Sequence, residues 1–385
     1  MKSLYRILIT MIAAAGVAAA QRVVTATGVA DLDIAAVQAA VDGGGSVMLR
    51  GHFSFDNPPA RRIALPGLMV TILISNAVTI SGTLDERGEM TTILGGEIPF
   101  AVEGSGVSVR IERLRFVRPK RYAIFADELN GLAIESCVIE SVEPLPPLGD
   151  PAGIKCGVGV YVATLLGHPT PERPGNPRKV AGKLSIRNNE ISVIESADEG
   201  IGIMVRSVGT PEKPVDVEIT GNTVRNATFK GINLWYIGGR ARIESNIVTA
   251  SAVYAGPKRI GAAGIHCAGS GAYLIAHNRI QVADPTGAGI RLKGTRGGAI
   301  ERASVTDNDV TMSVAEDAAL GERSAGIEIA GLARDCTIRR NTFRGRARVV
   351  LSFLPDPSGI PAGNTLGEND HVGFISSPTD RGPAK

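Results

Sequence analysis

The chain first shows its repeating unit in the stretch Ile186-Arg187-Asn188-Asn189-Glu190-Ile191. Later copies keep apolar residues at both ends and an Asn at the fourth place. The copies of this Asn are Asn189, Asn222, Asn246, Asn278, Asn308 and Asn341. Weaker copies upstream have Leu114 and Cys137 at that place. A constant motif at variable intervals is typical of stacked repeats, in which insertions project outward.

A second motif alternates with the first and consists of a Gly followed by alternating apolar residues. Its copies begin at Gly157, Gly200, Gly231, Gly264, Gly289 and Gly326. Alternation with period two indicates a strand with one buried face. The repeats are too short to hold a helix beside two or three strands. An Asn at each tight bend can take the left-handed conformation. Rungs stacked about 4.8 Å apart would then align these Asn side chains in one hydrogen-bonded ladder.

The amino-acid composition argues against several classes of function and site. The chain has 41 Lys and Arg against 38 Asp and Glu, a near balance that argues against a nucleic-acid binder. Its four cysteines, Cys137, Cys156, Cys267 and Cys336, lie far apart and follow no disulfide framework. No C-x-x-C pair is present, so the pattern predicts unpaired thiols and no zinc site of the usual type. No cofactor is expected.

The N-terminus has the pattern of a secretory signal peptide over residues 1–20. Lys2 and Arg6 precede a short apolar stretch, and Ala18 to Ala20 supply small residues for cleavage before Gln21. The alternative is an uncleaved membrane anchor, but no longer apolar stretch follows. The sequence therefore predicts an exported protein, periplasmic or secreted, with no membrane span after cleavage.

Taken together, the repeats resemble those of the right-handed parallel β-helix, or pectate-lyase-like, superfamily. The resemblance is strongest over residues 105–345 and extends to 25–370. It implies an all-β solenoid as a single domain over 21–370, followed by a tail at 371–385. Residues 31–42 have the pattern of an amphipathic helix that covers the open N-terminal end of such a solenoid. A leucine-rich repeat is the rival, but it needs regularly placed Leu, which the chain lacks.

Outward positions of the Gly-initiated strands form two expected columns. The first reads Gly159, Gly202, Asn233, His266, Arg291 and Glu328, and the second reads Tyr161, Met204, Trp235, Ala268, Lys293 and Ala330. Aromatic faces beside open space and polar groups suit a sugar ring. The cations would attract carboxylate or sulfate groups. The expected partner is therefore a glycan, in particular an acidic polysaccharide.

The resemblance implies roles for these residues. Lyases of the superfamily have their site on such a sheet and use Arg or Lys as the base beside a uronic carboxylate. Arg291 or Lys293 would then be the base, and His266 a base or an acid. Glu328 would orient Arg291 from the next rung. The expected substrate-binding residues are Tyr161, Asn233, Trp235 and Glu328.

Other chemistries fit less well. Polygalacturonase-like hydrolases need several Asp residues on this sheet, which supplies none. No convincing cluster of acidic calcium ligands is present either. The sequence thus favours a lyase or an epimerase of acidic glycans. The alternative is a non-catalytic β-helix that binds glycans or serves as an envelope or surface scaffold.

Overall fold

The chain is a three-sheeted parallel β-helix, seen in a computed structural model that describes residues 21–56, 68–146, 153–164, 179–193, 198–210, 212–251 and 261–372. Each turn contributes one short strand to each of three long sheets, and the strands pair in parallel with those of the next turn. The all-β solenoid predicted from the repeats is thereby confirmed. The predicted signal peptide and residues 373–385 of the predicted tail lie outside the described residues.

The strands fall into three sheets, named A, B and C. Sheet A contains β1 (Arg22–Thr25), β2 (Gly45–Arg50), β5 (Val78–Gly82), β8 (Ser108–Glu112), the second half of β10 (Tyr122–Glu135), β13 (Val180–Arg187), β16 (Val215–Thr220), β19 (Gly239–Glu244), β22 (Ala272–Ala276), β26 (Ser304–Thr306), β30 (Thr337–Arg339) and β33 (Thr365–Leu366). Sheet B contains β3 (His52–Ser54), β6 (Thr92–Leu94), β9 (Arg115–Val117), β11 (Val138–Val142), β14 (Glu190–Val193), β17 (Thr223–Ala227), β20 (Ile247–Ser251), β23 (Arg279–Ala283), β27 (Asp309–Met312), β31 (Thr342–Gly345) and β34 (Asp370–Val372).

Sheet C carries the surface on which the candidate site lies. It contains β4 (Val70–Ile74), β7 (Ile98–Glu103), the first half of β10, β12 (Cys156–Ala163), β15 (Glu199–Val208), β18 (Lys230–Ile237), β21 (Ala263–Ala268), β24 (Ala288–Gly294), β28 (Ala325–Gly331) and β32 (Val349–Leu354). Two short strands, β25 (Ile300–Glu301) and β29 (Ala333–Arg334), pair separately.

A helix covers the N-terminal end of the core, as predicted. Helix α1 (Ala30–Asp42) buries Ile34, Val37 and Val41. The amide of Gln38 fixes the helix to β4, because it both donates to the carbonyl of Leu73 and accepts from its N–H. In the part of the chain that the structure describes, no helix is long and apolar enough to cross a membrane.

The predicted asparagine ladder is confirmed at the corner between sheets A and B. Each Nδ2 donates to the Oδ1 of the next Asn at 2.9–3.0 Å, from Asn189 through Asn341 and on to Asn369, which the repeat pattern did not identify. The left-handed bend is made by the preceding residue, such as Asn188 at φ 55° or Ser245 at φ 56°. The ladder Asn itself does not make the bend, contrary to expectation. Its side chain points into the corner to bond neighbouring rungs.

A stack of glycines runs through the first half of the sheet C strands. Its members are Gly159, Gly202, Gly231, Gly264, Gly289 and Gly326, and a Cβ at any of them would lie 2.1–2.5 Å from a buried side-chain carbon of sheet B. Only Gly fits so close an approach. The sequence prediction began the first two copies at Gly157 and Gly200, two residues too early. Period-two alternation cannot separate two glycines on one face, whereas packing against Ile191 and Val224 selects the second.

Candidate functional site

Sheet C aligns the predicted site residues in two outward columns. In the first, Asn233 pairs with His266, His266 with Arg291, and Arg291 with Glu328. In the second, Trp235 pairs with Ala268, and Ala268 with Lys293. The structure thus brings six of the seven predicted site residues together on four adjacent rungs.

Tyr161 does not join this group, which corrects the predicted columns. The two-residue shift described above moves Tyr161 and Met204 into the first column, where Met204 pairs with Asn233 and Tyr161 lies one rung further away. Tyr161 is 5% exposed, and its ring lies edge-on to Tyr122 and Phe125 with centroids 4.9 and 5.7 Å apart. Burial raises the pKa of its phenol. Packed in this way, Tyr161 does not offer a face for stacking on a sugar.

The same shift places Arg206, which the sequence analysis missed, beside Trp235. Arg206 pairs with Trp235 on the next rung, and its guanidinium carbon lies 5.9 Å from the indole centroid. Counting from the second Gly of Gly200-Ile201-Gly202 would have put Arg206 in this column. One face of the single Trp therefore has a cation nearby.

A groove of about 430 Å³ opens over the two columns. It forms because the small Ala268 lies between the larger Trp235 and Lys293, which are two rungs and so roughly 10 Å apart along the axis. The turns after β24 and β32 wall it. Its lining residues are Trp235, His266, Ala268, Arg291, Lys293, Thr295, Arg296, Arg323, Asp356, Pro357 and Ser358. Four of these are Lys or Arg and one is Asp, so the groove favours an anionic ligand.

Asn233 is central to the first column. Its Oδ1 lies 2.8 Å from Nε1 of Trp235 and 2.9 Å from Nδ1 of His266. Asn233 is 3% exposed, and its carbonyl oxygen is used by these two neighbours. It therefore positions other side chains, whereas the sequence analysis expected it to bind substrate.

His266 is buried in the wall of the groove. Burial, together with the positive charges of Lys230, Arg291, Lys293 and Arg323, lowers the pKa of His266 well below its ordinary value. The imidazole is therefore neutral at neutral pH. Its Nε2 has no hydrogen-bond partner among the described residues. A neutral imidazole with a free nitrogen is equipped to accept a proton.

Arg291 lies on the next rung and is fully buried. Its Nε donates to Oε2 of Glu328 at 2.9 Å, and its Nη1 donates to the carbonyl of Gly261 at 3.0 Å. Its Nη2 has no partner within the described part of the chain. Glu328 thus orients Arg291 and does not line the groove itself. A paired guanidinium does not act as a base, so the structure argues against that role for Arg291.

Glu328 is held between two guanidinium groups. Arg323, from the loop before β28, also donates to its carboxylate. Burial acts to raise the pKa of Glu328, but Arg291 and Arg323 outweigh this effect and lower it. The carboxylate is therefore charged. Strand alternation gave no signal for Arg323 because it lies in a loop.

Lys293 forms an ion pair that the sequence analysis did not anticipate. Its Nζ lies 2.9 Å from Oδ2 of Asp356, in the turn after β32. Burial acts to raise the pKa of Asp356, but hydrogen bonds from Lys293 and Ser358 lower it to about 2. This carboxylate is the anionic partner of the Lys293 ammonium. Lys293 is thus suited to donate a proton or bind an anion, and not to act as the base that the sequence analysis proposed.

A buried lysine, Lys230, lies behind the groove. Lys230 is 1% exposed, and its Nζ donates to the carbonyl of Gly261 at 2.8 Å, the same oxygen that Arg291 contacts. Burial and the charge of Arg291 lower the pKa of Lys230 well below its ordinary value. The repeat pattern gives no signal for Lys230, because this residue precedes the repeat Gly.

Metal-ligating side chains come together elsewhere. Within the described ranges, the one group of three such side chains is His52, Asp85 and Glu89. All three are exposed, and they lie outside the groove. The charged residues that line the groove are four cations and one carboxylate, and cations do not bind a metal ion.

Comparisons with known proteins agree with the fold. Residues 179–371 match the family described as the right handed beta helix region. No curated protein matches the sequence. Among solved structures, the A-module of the Azotobacter vinelandii mannuronan C-5 epimerase AlgE4 is 12% identical, with 92% of this chain and 95% of that chain covered and a TM-score of 0.34.

Two further structures are similar to the same extent. The Streptococcus pneumoniae surface protein and adhesin PfbA is 14% identical over 90% of this chain and 97% of that chain, with a TM-score of 0.36. A mutant tailspike protein of E. coli bacteriophage HK620, in complex with a pentasaccharide, is 13% identical over 92% of this chain and 64% of that chain, with a TM-score of 0.40. Similarity at this level does not indicate which activity this chain has.

Proposed function

The chain belongs to the right-handed β-helix family, and we propose that its groove binds an acidic polysaccharide and removes a proton beside a uronate carboxylate. The protein is then a lyase or an epimerase of acidic glycans. The observation that supports this proposal is the meeting of His266 and Arg291 on adjacent rungs. Each has one buried nitrogen without a partner among the described residues, Nε2 of His266 and Nη2 of Arg291.

The chemistry needs both groups. A proton on the carbon beside a carboxylate is weakly acidic, because the existing negative charge opposes a second one. A guanidinium on that carboxylate stabilises the charge that develops as the proton leaves. In the proposal Arg291 binds the carboxylate through Nη2, and Lys293 and Arg323 add positive charge. The neutral imidazole of His266 then accepts the proton.

The reaction proceeds from one carbanion-like state to either of two products. The C5–H bond breaks, the proton goes to His266, and the electron pair is delocalised onto the carboxylate. In a lyase this pair forms a C4–C5 double bond while the C4–O bond breaks, and the leaving oxygen takes a proton, for which the Lys293 ammonium is the proposed donor. In an epimerase C5 instead takes a proton that derives from water on its opposite face, and His266 returns its own proton to water.

Substrate class follows from charge and shape in this proposal. The groove lining has four cations and one carboxylate, and that carboxylate is paired with Lys293. A ligand that repeats a negative charge along its length suits this surface. The indole of Trp235 offers an apolar face for a sugar ring. Such polysaccharides occur outside the cytoplasm, so we also propose that the protein is exported to the periplasm or secreted.

The test is incubation of the purified protein with polygalacturonate, alginate, hyaluronan and chondroitin sulfate. Lyase activity is read from the ultraviolet absorbance of unsaturated ends, and epimerase activity from deuterium incorporation at C5 in heavy water. We expect turnover of at least one polymer. The variant His266→Gln is expected to lower kcat by a factor on the order of 100 or more. His52→Gln, an exposed histidine outside the groove, is the matched control and retains turnover.

The alternative function gives a different result. A non-catalytic glycan-binding protein retains one of these polymers without changing it, and Trp235→Ala weakens the retention. That result overturns the enzymatic proposal and keeps the groove as a binding site. Absence of both turnover and binding across the panel rejects the groove as a glycan site.

A further inference from the structure

We propose that Asn233 selects the tautomer of His266, so that Nδ1 carries the proton and Nε2 is the basic atom. This inference deepens the proposed function and rests on it only for its catalytic meaning. Asn233 and His266 are neighbours on adjacent rungs, and the contact between them joins Asn233 Oδ1 to His266 Nδ1 at 2.9 Å.

The identity of the Asn233 atom is fixed by Trp235. An indole Nε1–H is a donor only, so the Asn233 atom that it contacts at 2.8 Å is the carbonyl oxygen. The amide therefore has one orientation, with Oδ1 facing both rings. Trp235 and His266 lie edge to face at 5.7 Å between centroids, which holds both rings around that oxygen.

Because the atom that faces it is the acceptor Oδ1 of Asn233, His266 Nδ1 must be a hydrogen-bond donor. Because Oδ1 accepts hydrogen bonds and cannot donate one, Nδ1 must carry the proton. A neutral imidazole has one N–H, so Nε2 then carries the lone pair. The groups that face this ring keep it neutral, since Lys230, Arg291, Lys293 and Arg323 all oppose a further positive charge.

The consequence is that His266 can accept a proton only at Nε2. Nε2 is buried and has no partner among the described residues, and its neighbour on the next rung presents the unpaired Nη2 of Arg291. A lone pair at Nε2 accepts a proton from a substrate, whereas a proton at Nε2 would block that step. Asn233 is accordingly a positioning residue that acts through His266.

The test measures the tautomer directly. Two-bond ¹⁵N–¹H correlation spectra of the ¹⁵N-labelled full chain report which ring nitrogen is protonated, and the His266 signals are assigned by their loss in His266→Gln. We expect His266 to be neutral and protonated at Nδ1 at neutral pH. In Asn233→Ala the fixed tautomer is expected to give way to a mixture or to the Nε2–H form.

Two conservative variants make the test specific. Trp235→Phe removes the donor that orients the Asn233 amide and is expected to weaken the preference of His266 for the Nδ1–H tautomer. Asn233→Asp keeps an acceptor but adds a negative charge, so it is expected to keep the tautomer and raise the pKa of His266. An Nε2–H tautomer in the unaltered protein, or an Nδ1–H tautomer that survives in Asn233→Ala, overturns the inference.

Measurements of activity separate the inference about the His266 tautomer from the proposed function of the groove. On a polymer that is turned over, Asn233→Ala is expected to lower kcat/KM on the order of 100-fold, and Asn233→Asp to move the acid limb of the pH profile to higher pH. The expected tautomer without turnover of any polymer rejects the proposed function and leaves this inference standing. Turnover with an Nε2–H tautomer rejects this inference and leaves the proposed function standing.

Discussion

The Nε atom of Arg291 lies 2.9 Å from Oε2 of Glu328, and neither side chain is exposed to solvent. The two residues occupy equivalent places on adjacent rungs of sheet C. A charged pair without water around it is held by its own geometry and by the second guanidinium, that of Arg323. This arrangement keeps a guanidinium oriented inside the groove wall before any ligand binds.

Removal of the Glu328 carboxylate is expected to destabilise the protein strongly. In Glu328→Ala the buried charge of Arg291 loses its partner, and the free energy of unfolding should fall by about 3–5 kcal/mol. Denaturant unfolding followed by circular dichroism measures this loss of free energy. Glu140→Ala is the control, because the pair of Glu140 with Arg115 is partly exposed and should contribute only about 0–1 kcal/mol. Equal losses in the two variants would contradict the structural role of Glu328.

The asparagine ladder predicts a position-dependent loss of stability. Asn246 donates to Asn278 Oδ1 and to the carbonyl of Ile219, both at 2.9 Å, and is fully buried. Asn246→Ala leaves buried groups unsatisfied, so a loss of roughly 1–3 kcal/mol or more is expected from unfolding curves. Asn369→Ala, at the partly exposed end of the ladder, should cost clearly less. A larger loss at Asn369 than at Asn246 would be inconsistent with a buried cooperative ladder.

The glycine stack predicts that one methyl group added at a stacked glycine lowers the free energy of unfolding. A Cβ at Gly264 would lie 2.2 Å from Cγ2 of Ile280 and 2.9 Å from the carbonyl oxygen of Gly289. Gly264→Ala is expected to cost about 1–3 kcal/mol or more through overpacking. Gly131→Ala is the matched control, since its nearest neighbour would be the Ser108 hydroxyl at 3.2 Å, and its effect should stay within about 0.5 kcal/mol. Thermal unfolding of the two variants distinguishes these outcomes.

His266 makes stability depend on pH in a defined direction. Its pKa is lowered in the folded state, so the unfolded chain binds more protons below its ordinary pKa of about 6.5. Stability should therefore fall as the pH falls from about 6.5 toward the lowered folded-state pKa, by roughly 1–2 kcal/mol between about pH 7 and 5. His266→Gln should remove this part of the dependence, and His52→Gln should not. The free energy of unfolding of the three proteins, measured across this pH range, tests the prediction.

The cysteines are expected to be free and slow to react. Burial raises the pKa of Cys137 and Cys156 to about 12 and that of Cys336 to about 11, and raises that of Cys267 as well. Thiolates are the reactive species, so native protein should react slowly with a thiol reagent. Denatured, unreduced protein should yield all four thiols. Detection of two or fewer would indicate a disulfide and contradict this expectation.

Sequence alone determined the architecture, because a solenoid repeats local information. The spacing of Asn246 and Asn278 and the alternation after Gly264 each describe one rung, and stacking copies one rung onto the next. The ladder and the outward placement of His266, Arg291 and Lys293 follow from that periodicity, whereas the cap follows from the amphipathic pattern of residues 31–42. The same period of two left the first rungs ambiguous, and the placement of Tyr161 was wrong for that reason.

Tertiary structure alone decided what the site residues do. Asp356 and Arg323 lie in loops outside the repeat, and they pair with Lys293 and Glu328. These partners, together with the depth of burial, set which groups are charged and which nitrogen of His266 is left free. Protonation depends on desolvation and on charges that are distant in sequence and close in space, and no repeat pattern encodes those distances.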